Sequence, residues 1–387
     1  MVVNINKKIL IDATGGSEWI GGLYYKKNIL YSLLQNNYIT GKYSFVVFSE
    51  KENKTIFDSF LKDIIYIDAR GKSEKDRTME LLCYALKYRC KYIFPCGHLK
   101  FKRFGITPIH WIADFQHNRM PYNFSEEDNR ARTSVYLQFA KDDFPLVLSS
   151  QSAWNDFREY YSDTRGYVYV VPFVSYIEDT LHHLSPFDEI SILRKFNLEG
   201  KKYVCVMNQF WRHKNHHIVL RAMQLYFSTN QNSDFVFVFT GKMFDYRDPE
   251  YITNLKTMFE DPIIKEHALL LGFVDRIEQI AVMKNAQFVI QPSLFEGWGT
   301  VVEDAKVLDK TILLSDIPVH REQRNDKCRL FDPYDPEMLV SIIKEETVKE
   351  HVDDVERGIS DMHKRAKEYS KGFEQLLKDQ DRKKYER

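Results

Sequence analysis

The stretch best equipped for chemistry is Gln291-Pro-Ser-Leu-Phe-Glu-Gly-Trp-Gly-Thr-Val-Val-Glu-Asp-Ala-Lys306. An apolar run ends at Pro292, a short loop carries Glu296, Gly297, Trp298 and Gly299, and helical spacing begins at Thr300. The first turn of a helix has unpaired backbone N–H groups and the positive end of the helix dipole, so it attracts an anion. The two glycines let a phosphate come close, which makes the N–H groups near Gly299, Thr300 and Val301 the outline of a diphosphate cradle. At about 100° per residue, Val301, Val302, Ala305 and Leu308 share the face that should pack on a sheet. Glu303 then lies roughly opposite that face and Asp304 about a quarter-turn from it, at a cleft edge, so Asp304 is the better ligand candidate of the two acids. Glycine placement points the same way. The chain has 16 glycines, against about 27 at an average usage of roughly 7%. Six of them fall in Gly15-Gly16 with Gly21-Gly22 and in Gly297 with Gly299, so a ligand is expected at these two stretches.

Other constellations carry less. His213, His216 and His217 suggest a metal because residues four apart share a helix face, but no paired Cys or carboxylate accompanies them at ligand spacing. Polarity at a helix start explains them. Asp379-Gln-Asp381 looks like a metal-binding pair, yet residues two apart on a helix point in different directions, and solvated surface is expected. The five cysteines, Cys83, Cys90, Cys96, Cys205 and Cys328, are odd in number and lack a Cys-x-x-Cys pair, as reduced structural thiols do. Over 84–104, Lys87, Arg89, Lys91, Lys100, Lys102 and Arg103 interleave with Tyr84, Tyr88, Tyr92, Phe94, Phe101 and Phe104. That mixture suits an anionic membrane surface or a lipid-diphosphate acceptor, and ordinary surface-and-core alternation suits it about as well.

These loops need strands to hold them. The run Lys8–Ala13 reads as a buried strand entering Thr14-Gly-Gly-Ser17, and Leu23, Ile29, Leu30, Leu33 and Leu34 place Gly21-Gly22 at the N-terminus of the following helix. Strands at 43–48, 64–67, 108–112, 146–149 and 168–173 follow, with a helix over 76–89. The polar stretch 175–199 reads as a connection. A second alternation then begins, with strands at 203–210, 234–241, 269–273, 288–291, 311–315 and 328–331 and helices at 218–227, 252–259, 277–283 and 300–308 among them. The pattern predicts two consecutive doubly wound α/β domains. They span 1–173 and 201–370, joined by 174–200, and a C-terminal helix over 371–387 is placed to pack back on the first domain.

Composition removes several classes. Lys+Arg and Asp+Glu both total 55, so no whole-chain field favours nucleic acid as partner. Hydrophobic residues at 44% and charged residues at 28% are ordinary soluble values, which argues against a fibrous or disordered chain. The longest apolar runs, such as Phe235–Phe239, fall short of the ~20 residues of a membrane span. Lys7-Lys8 precede only three apolar residues before Asp12, too few for a secretory leader, so a cytoplasmic place is expected.

Phe295-Glu-Gly-Trp-Gly299, Asp304, Leu271-Gly-Phe-Val-Asp275 and Ser315-Asp-Ile-Pro-Val-His-Arg-Glu-Gln323 together resemble the retaining glycosyltransferase family 4, the "glycosyl transferases group 1". The similarity is close over 204–336, with weaker matches at Gly21-Gly22, Trp111–His117 and Ser149-Ser-Gln151. The resemblance implies the GT-B fold, two Rossmann-like domains facing across a cleft, with the donor held mainly by the second and the acceptor by the first. It implies transfer with retention, no tightly bound cofactor and no metal requirement. In that family two acids separated by seven residues flank the phosphate loop, the first beside the donor sugar and the second on the ribose hydroxyls. The matching residues are Glu296 and Asp304. The second is normally Glu, so this chain is one methylene shorter, and Glu303 stays open as an alternative. Asn208-Gln-Phe-Trp-Arg-His-Lys-Asn215 resembles the family's basic loop, in which an Arg and a Lys contact the diphosphate. Lys214 matches the Lys, while Gln209 stands where the Arg is usual. Either Arg212 supplies that charge or Gln209 hydrogen-bonds a phosphate oxygen without neutralising it.

On the same resemblance His117, with Asp114 second, matches a His that reaches the donor sugar. Glu296, Lys214 and His117 are the expected catalytic residues. Asp304, Gly297, Trp298, Gly299, Thr300, Val301, Gln209, Arg212, Phe273, Gly21 and Gly22 are the expected contacts to the nucleotide sugar, whose base is UDP or GDP by preference. The implied activity is sugar transfer to a glycan or polyprenyl-linked acceptor in cell-surface polysaccharide synthesis. The expected place is the cytoplasm, up to the inner face of the plasma membrane, with 84–104 as candidate membrane contact. Two rival readings share the cradle: a UDP-sugar 2-epimerase-like enzyme of the same fold, and a non-catalytic sugar-nucleotide-binding subunit of a glycan assembly complex. Gln209 and Asp304 keep the latter open. A nicotinamide dehydrogenase fits poorly, because no Gly-x-Gly-x-x-Gly follows a predicted strand.

Overall fold

Short runs rich in β-branched and aromatic residues become strands here, and their near-continuous apolarity reflects burial on both faces, as parallel sheets require. A computed structural model describes residues 7–15, 20–97, 99–162, 164, 166–230 and 233–382. Gly16 and Ser17 of the first glycine loop lie outside the described residues. The chain divides into two units, one of Met1–Phe115, Arg130–Tyr176 and Met362–Arg387, the other of Gln116–Asn129 and Ile177–Asp361.

In the first unit, β1 (Lys7–Asp12), β2 (Tyr43–Glu50), β3 (Ile64–Ala69), β4 (Cys90–Phe94) and β5 (Thr107–Pro108) form a parallel sheet in the order β3-β2-β1-β4-β5. A second parallel ladder joins β6 (His110–Ile112), β7 (Leu146–Leu148) and β8 (Val168–Val170). Helix α1 (Ile20–Leu34) follows β1, with Gly21 and Gly22 in its opening turn. Strand β4 was not anticipated. It runs through the middle of the 84–104 segment, so Tyr92 and Phe94 are core residues, and Phe101 is buried in a cluster with Cys90 and Ile93. Tyr84 and Tyr88 pack against the Phe101 cluster, leaving Phe104 as the exposed aromatic of the six.

The second unit holds β9 (Tyr203–Met207), β10 (Val236–Thr240), β11 (Ala268–Leu270), β12 (Phe288–Gln291), β13 (Thr311–Ser315) and β14 (Cys328–Phe331) in the order β11-β10-β9-β12-β13-β14, every pair parallel. Its helices include α2 (His216–Thr229), α3 (Arg276–Asn285), α4 (Thr300–Val307) and α5 (Pro318–Gln323). The expected fold class, doubly wound α/β in two Rossmann-like parts, is what the parallel sheets of the two units form. The boundaries differ in detail. Residues 116–129 group with the second unit, and the polar connection carries two helices, Glu178–His183 and Pro186–Lys195.

The last helix, α6 (Val355–Arg382), starts earlier than expected, and from Met362 onward it belongs to the first unit. Phe373, Leu376 and Leu377 are fully buried there, and Phe373 meets Phe94 edge-on at 5.2 Å. The Asp379/Asp381 pair is not solvated surface. Asp381 accepts hydrogen bonds from the Tyr43 and Tyr92 hydroxyls at 2.8 and 3.0 Å and pairs with Lys7, while Asp379 accepts from the Tyr169 hydroxyl at 2.9 Å. Among the described residues no helix is long and apolar enough to cross a membrane.

Candidate active site

The order of the second sheet reverses between β9 and β12. In an open α/β sheet a ligand lies beyond the carboxyl ends of the strands at such a switch point. The loops leaving these two strands carry Lys214 and Glu296. Asn215, left-handed at φ 56, turns the chain from Lys214 into α2, and its amide donates to the carbonyls of Pro292 and Pro333 at 3.2 and 2.9 Å. Leu294 N–H donates to the His213 carbonyl at 2.7 Å. Asn208 and Gln291 exchange reciprocal amide hydrogen bonds of 3.0 and 3.1 Å. The two loops are thereby held as one piece.

At their centre the Lys214 ammonium donates to Glu296 Oε1 at 2.6 Å. Gln291 Nε2 and Ser293 Oγ donate to the same oxygen at 2.8 and 2.7 Å. Among the described residues no donor reaches Oε2. The Glu296 side chain is only 9% exposed. Burial alone would raise its pKa, but the Lys214 charge beside it wins and brings it down to about 2. Glu296 is therefore a carboxylate at neutral pH, with three protein donors on one oxygen and none on the other among the described residues.

Buried histidines surround this pair. His320 donates from Nδ1 to the Ser315 carbonyl at 2.9 Å, which leaves Nε2 as a bare acceptor with no partner among the described residues. Burial lowers its pKa to about 4. Burial likewise pushes His213 well down and His216 to about 3, the latter stacked on Phe210 at 4.2 Å. All three are neutral at physiological pH. Among the described residues no group of three or more His, Cys, Asp or Glu is placed to hold a metal ion.

The start of α4 departs from expectation. Gly299 N–H donates to Gln323 Oε1 at 3.0 Å and the Gln323 amide returns a bond to the Gly299 carbonyl at 3.1 Å, so this N–H is occupied by α5. Thr300 and Val301, the first two residues of the helix, are half-buried, and no side chain caps the helix among the described residues. Gly297 is half-buried and Trp298 is buried in the same loop. Both acids are fully buried, against the expectation of one outward and one at a cleft edge. Glu303 accepts from Lys306 at 3.0 Å and Gln323 at 3.1 Å. Asp304 accepts both arms of the Arg276 guanidinium, at 2.7 and 2.5 Å. The cause is that α3 and α5 cover the side of α4 that a helical wheel leaves to water.

The two side chains offered for the missing cation are also occupied. Gln209 Oε1 accepts the Lys242 N–H at 2.9 Å, and Arg212 pairs with Asp248 at 2.7 Å while lying 5.9 Å over the Tyr122 ring. Phe273 is 53% exposed just past β11, with the Lys242 ammonium 5.6 Å from its ring centre. Gly241 closes β10 with φ 111, and a Cβ there would meet the Asn208 carbonyl at 2.4 Å and Gln209 Cα at 2.9 Å. Both obstacles are backbone of the Lys214 loop. Gly241→Ala is accordingly expected to cost roughly 3 kcal/mol or more in urea unfolding, from left-handed strain plus overpacking.

His117 is buried in a helical turn, Gln116–Arg119, that groups with the second unit and not the first. Downstream in the same segment, the Phe124 ring lies 5.6 Å from the Arg247 guanidinium. Asp114, by contrast, lies in the first unit, where its carbonyl accepts the Tyr136 hydroxyl at 3.3 Å. Gly21 and Gly22 are in the first unit too, so the constellation within the second unit does not include them; a Cβ on Gly21 would meet nothing within 4 Å. Gln291, Ser293, His320, Gln323 and Arg276 were not anticipated as site residues. The 315–323 motif held two of them, but only folding shows what they touch.

Residues 188–345 match the family model described as glycosyl transferases group 1. The chain is 25% identical over 146 residues to the O-antigen chain mannosyltransferase RfbU of Salmonella typhimurium; the match covers 38% of each chain, so it spans about two fifths of that relative. Among solved structures the chain is similar to Anabaena HepE in complex with UDP and glucose, with a TM-score of 0.62, 14% identity and coverage of 99% and 100%. It is also similar to an α,α-trehalose-phosphate synthase from Burkholderia xenovorans in complex with glucose-6-phosphate, with a TM-score of 0.63, 10% identity and coverage of 97% and 99%. At these identities the likeness is one of fold, and the fold is GT-B.

Proposed function

We propose that this chain is a retaining, metal-independent glycosyltransferase that moves a sugar from a nucleoside-diphosphate sugar, UDP- or GDP-linked, to a growing cell-surface glycan. The observation that carries this reading is the Lys214–Glu296 pair at the switch point, with three donors on Oε1 and Oε2 left open. A primary ammonium has three N–H donors. One is spent on Glu296, and the others suit phosphate oxygens as negative charge builds on the departing diphosphate. The Thr300 and Val301 N–H groups at the start of α4 add to that stabilisation. Glu296, fixed as an anion, orients a sugar hydroxyl through Oε2 and supports positive character at the anomeric carbon. The departing phosphate takes the acceptor proton on the face it leaves, so configuration is retained. Phe273 offers an exposed ring for the base to stack on. The naming of the Salmonella relative as an O-antigen chain mannosyltransferase, and of the Anabaena structure as a UDP and glucose complex, supports the acceptor and donor classes.

The test is calorimetric titration and thermal shift with UDP- and GDP-sugars in EDTA, on the native protein and Lys214→Ala. Binding to the native state at one hundred times Kd adds about 2.7 kcal/mol of apparent stability. A melting-temperature rise with one nucleotide, lost in Lys214→Ala, is expected. No rise with either nucleotide up to millimolar concentration would refute the reading.

A further inference from the structure

On the loop that leaves β10 the usual order of burial is inverted. Asp245 is 3% exposed, while Phe244 and Tyr246 on either side of it are 65% and 73% exposed. The loop is nonetheless a built structure. The Asp245 carboxylate accepts the Arg247 backbone N–H at 3.1 Å and two guanidinium N–H groups of the same residue at 2.9 and 3.1 Å. Asp248 accepts the Tyr251 N–H at 2.9 Å, which caps the helix Pro249–Phe259, and pairs with Arg212 at 2.7 Å. The Arg247 guanidinium lies 5.1 Å from the Trp211 ring, 5.6 Å from Phe124 and 6.0 Å from Tyr246. Arg212 lies 5.9 Å from the ring of Tyr122, itself 66% exposed. Two arginines thus gather rings from three segments of the second unit, 116–129, the Lys214 loop and the loop after β10. We propose that this cluster is a docking platform for the acceptor, on which consecutive neutral sugar rings of a glycan chain stack. This rests on the transferase reading above.

Folding does not account for these rings facing water, and exposed apolar surface gathered in one place marks a binding surface. The chemistry of the cluster selects the occupant. Arg247 is matched by Asp245 and Arg212 by Asp248, so the two cations leave no surplus charge to hold a nucleic acid or an anionic lipid surface. The members are separate rings set among charged groups, unlike the continuous apolar groove that takes an amphipathic helix from a protein partner. A pyranose has the complementary pattern. Its polarised C–H groups meet the negative face of an aromatic ring, and the hydroxyls around its rim exchange hydrogen bonds with arginine and aspartate side chains. The surface is also continuous with the candidate active site. Trp211, half-buried, stands three residues before Lys214 on the same loop, and the β10 loop lies beside it at the carboxyl ends of neighbouring parallel strands. A glycan held by these rings lies against the loop that carries Lys214, and rings two residues apart on one loop, Phe244 and Tyr246, suit a chain better than a single sugar.

Titration calorimetry and saturation-transfer NMR test this with neutral oligosaccharide ladders of mannose, glucose and N-acetylglucosamine, from one to about six sugars, on the native protein and on the double variant Phe244→Ser/Tyr246→Ser. Both side chains are exposed and both arginine–aspartate pairs remain, so the melting temperature should stay close to native. The expected result is binding of at least one ladder, tightening with length, and weakened by about tenfold or more in the double variant through the loss of two ring contacts. No binding of any ladder up to about 10 mM, affinity that does not change with length, or equal affinity in the two proteins would overturn the proposal. So would sedimentation with neutral or anionic phospholipid vesicles that the double variant loses, since the rings would then be a membrane contact. If UDP or GDP binds in a Lys214-dependent way while no ladder does, this inference fails and the transferase reading stands. If a ladder binds through Phe244 and Tyr246 while neither nucleotide binds, the surface stands as a glycan site and the transferase reading fails.

Discussion

Replacing Glu296 by glutamine is expected to lower sugar transfer by about 10²- to 10³-fold, the loss typical of removing one preorganised electrostatic group, while nucleoside-diphosphate affinity stays within a few-fold of native. Glutamine has the same length and can still accept from Ser293 and Gln291, so the loop should keep its shape. What disappears is the negative charge that Oε2 presents to the sugar. The cost should therefore fall on kcat, not on binding of the leaving nucleotide, as for an interaction that strengthens in the transition state. Measuring kcat and the Kd of the nucleoside diphosphate on the same preparation separates the two. An unchanged kcat would make Glu296 a structural partner of Lys214 and nothing more.

The second large effect is on stability. Lys214→Met leaves a buried carboxylate with no cation, and breaking a buried pair in this way costs about 3–5 kcal/mol. The sign of the pH dependence follows from the shift. In the native protein the Glu296 pKa, about 2, lies below the ~4.3 of an unfolded chain. The pair therefore contributes stability above pH ~4.3 that is lost as the pH falls toward 2. Without Lys214 burial acts unopposed and the carboxyl pKa rises, so the variant recovers relative to native as acidification neutralises Glu296. Urea unfolding at pH 7.5 and pH 4.5 should show the gap between native and Lys214→Met shrinking at the lower pH. A gap that does not change with pH would mean that the lost term is packing of the lysine stem. The double variant Lys214→Met/Glu296→Leu should regain most of the stability, because an apolar pair can replace a buried ion pair, and should have no transfer activity.

The parts of this molecule with strong local signals were legible from the residues alone. β12, the Glu296 loop and α4 announce themselves through Phe288–Gln291, two clustered glycines and the valines at 301 and 302, and the alternation through 331 gives the second sheet almost strand for strand. Strand β4 was hidden because Cys90-Lys-Tyr-Ile-Phe94 stands among lysines and tyrosines, and its burial comes from β1 on one side and β5 on the other. The orientation of Asp304 failed for a related reason. Periodicity finds the apolar face of α4, but it cannot see that α3 and α5 bring Arg276 and Gln323 onto the polar face and bury it. The same holds for Asp379 and Asp381, whose tyrosine partners are hundreds of residues away in sequence. Lys214 and Glu296 are 82 residues apart, and what placed them together before folding was a resemblance, not a spacing.

The most direct measurement is release of nucleoside diphosphate from a panel of UDP- and GDP-sugars, in EDTA, by the native protein and by Glu296→Gln, with the freed sugar followed by proton NMR in the first minutes. The expected result is slow hydrolysis of one donor, with the sugar appearing first in the anomeric configuration it had in the donor, and a loss of about 10²-fold or more in Glu296→Gln. Release at equal rates by the two proteins, a sugar that appears first in the opposite configuration, or no release from any donor would contradict a retaining transferase built on Lys214 and Glu296.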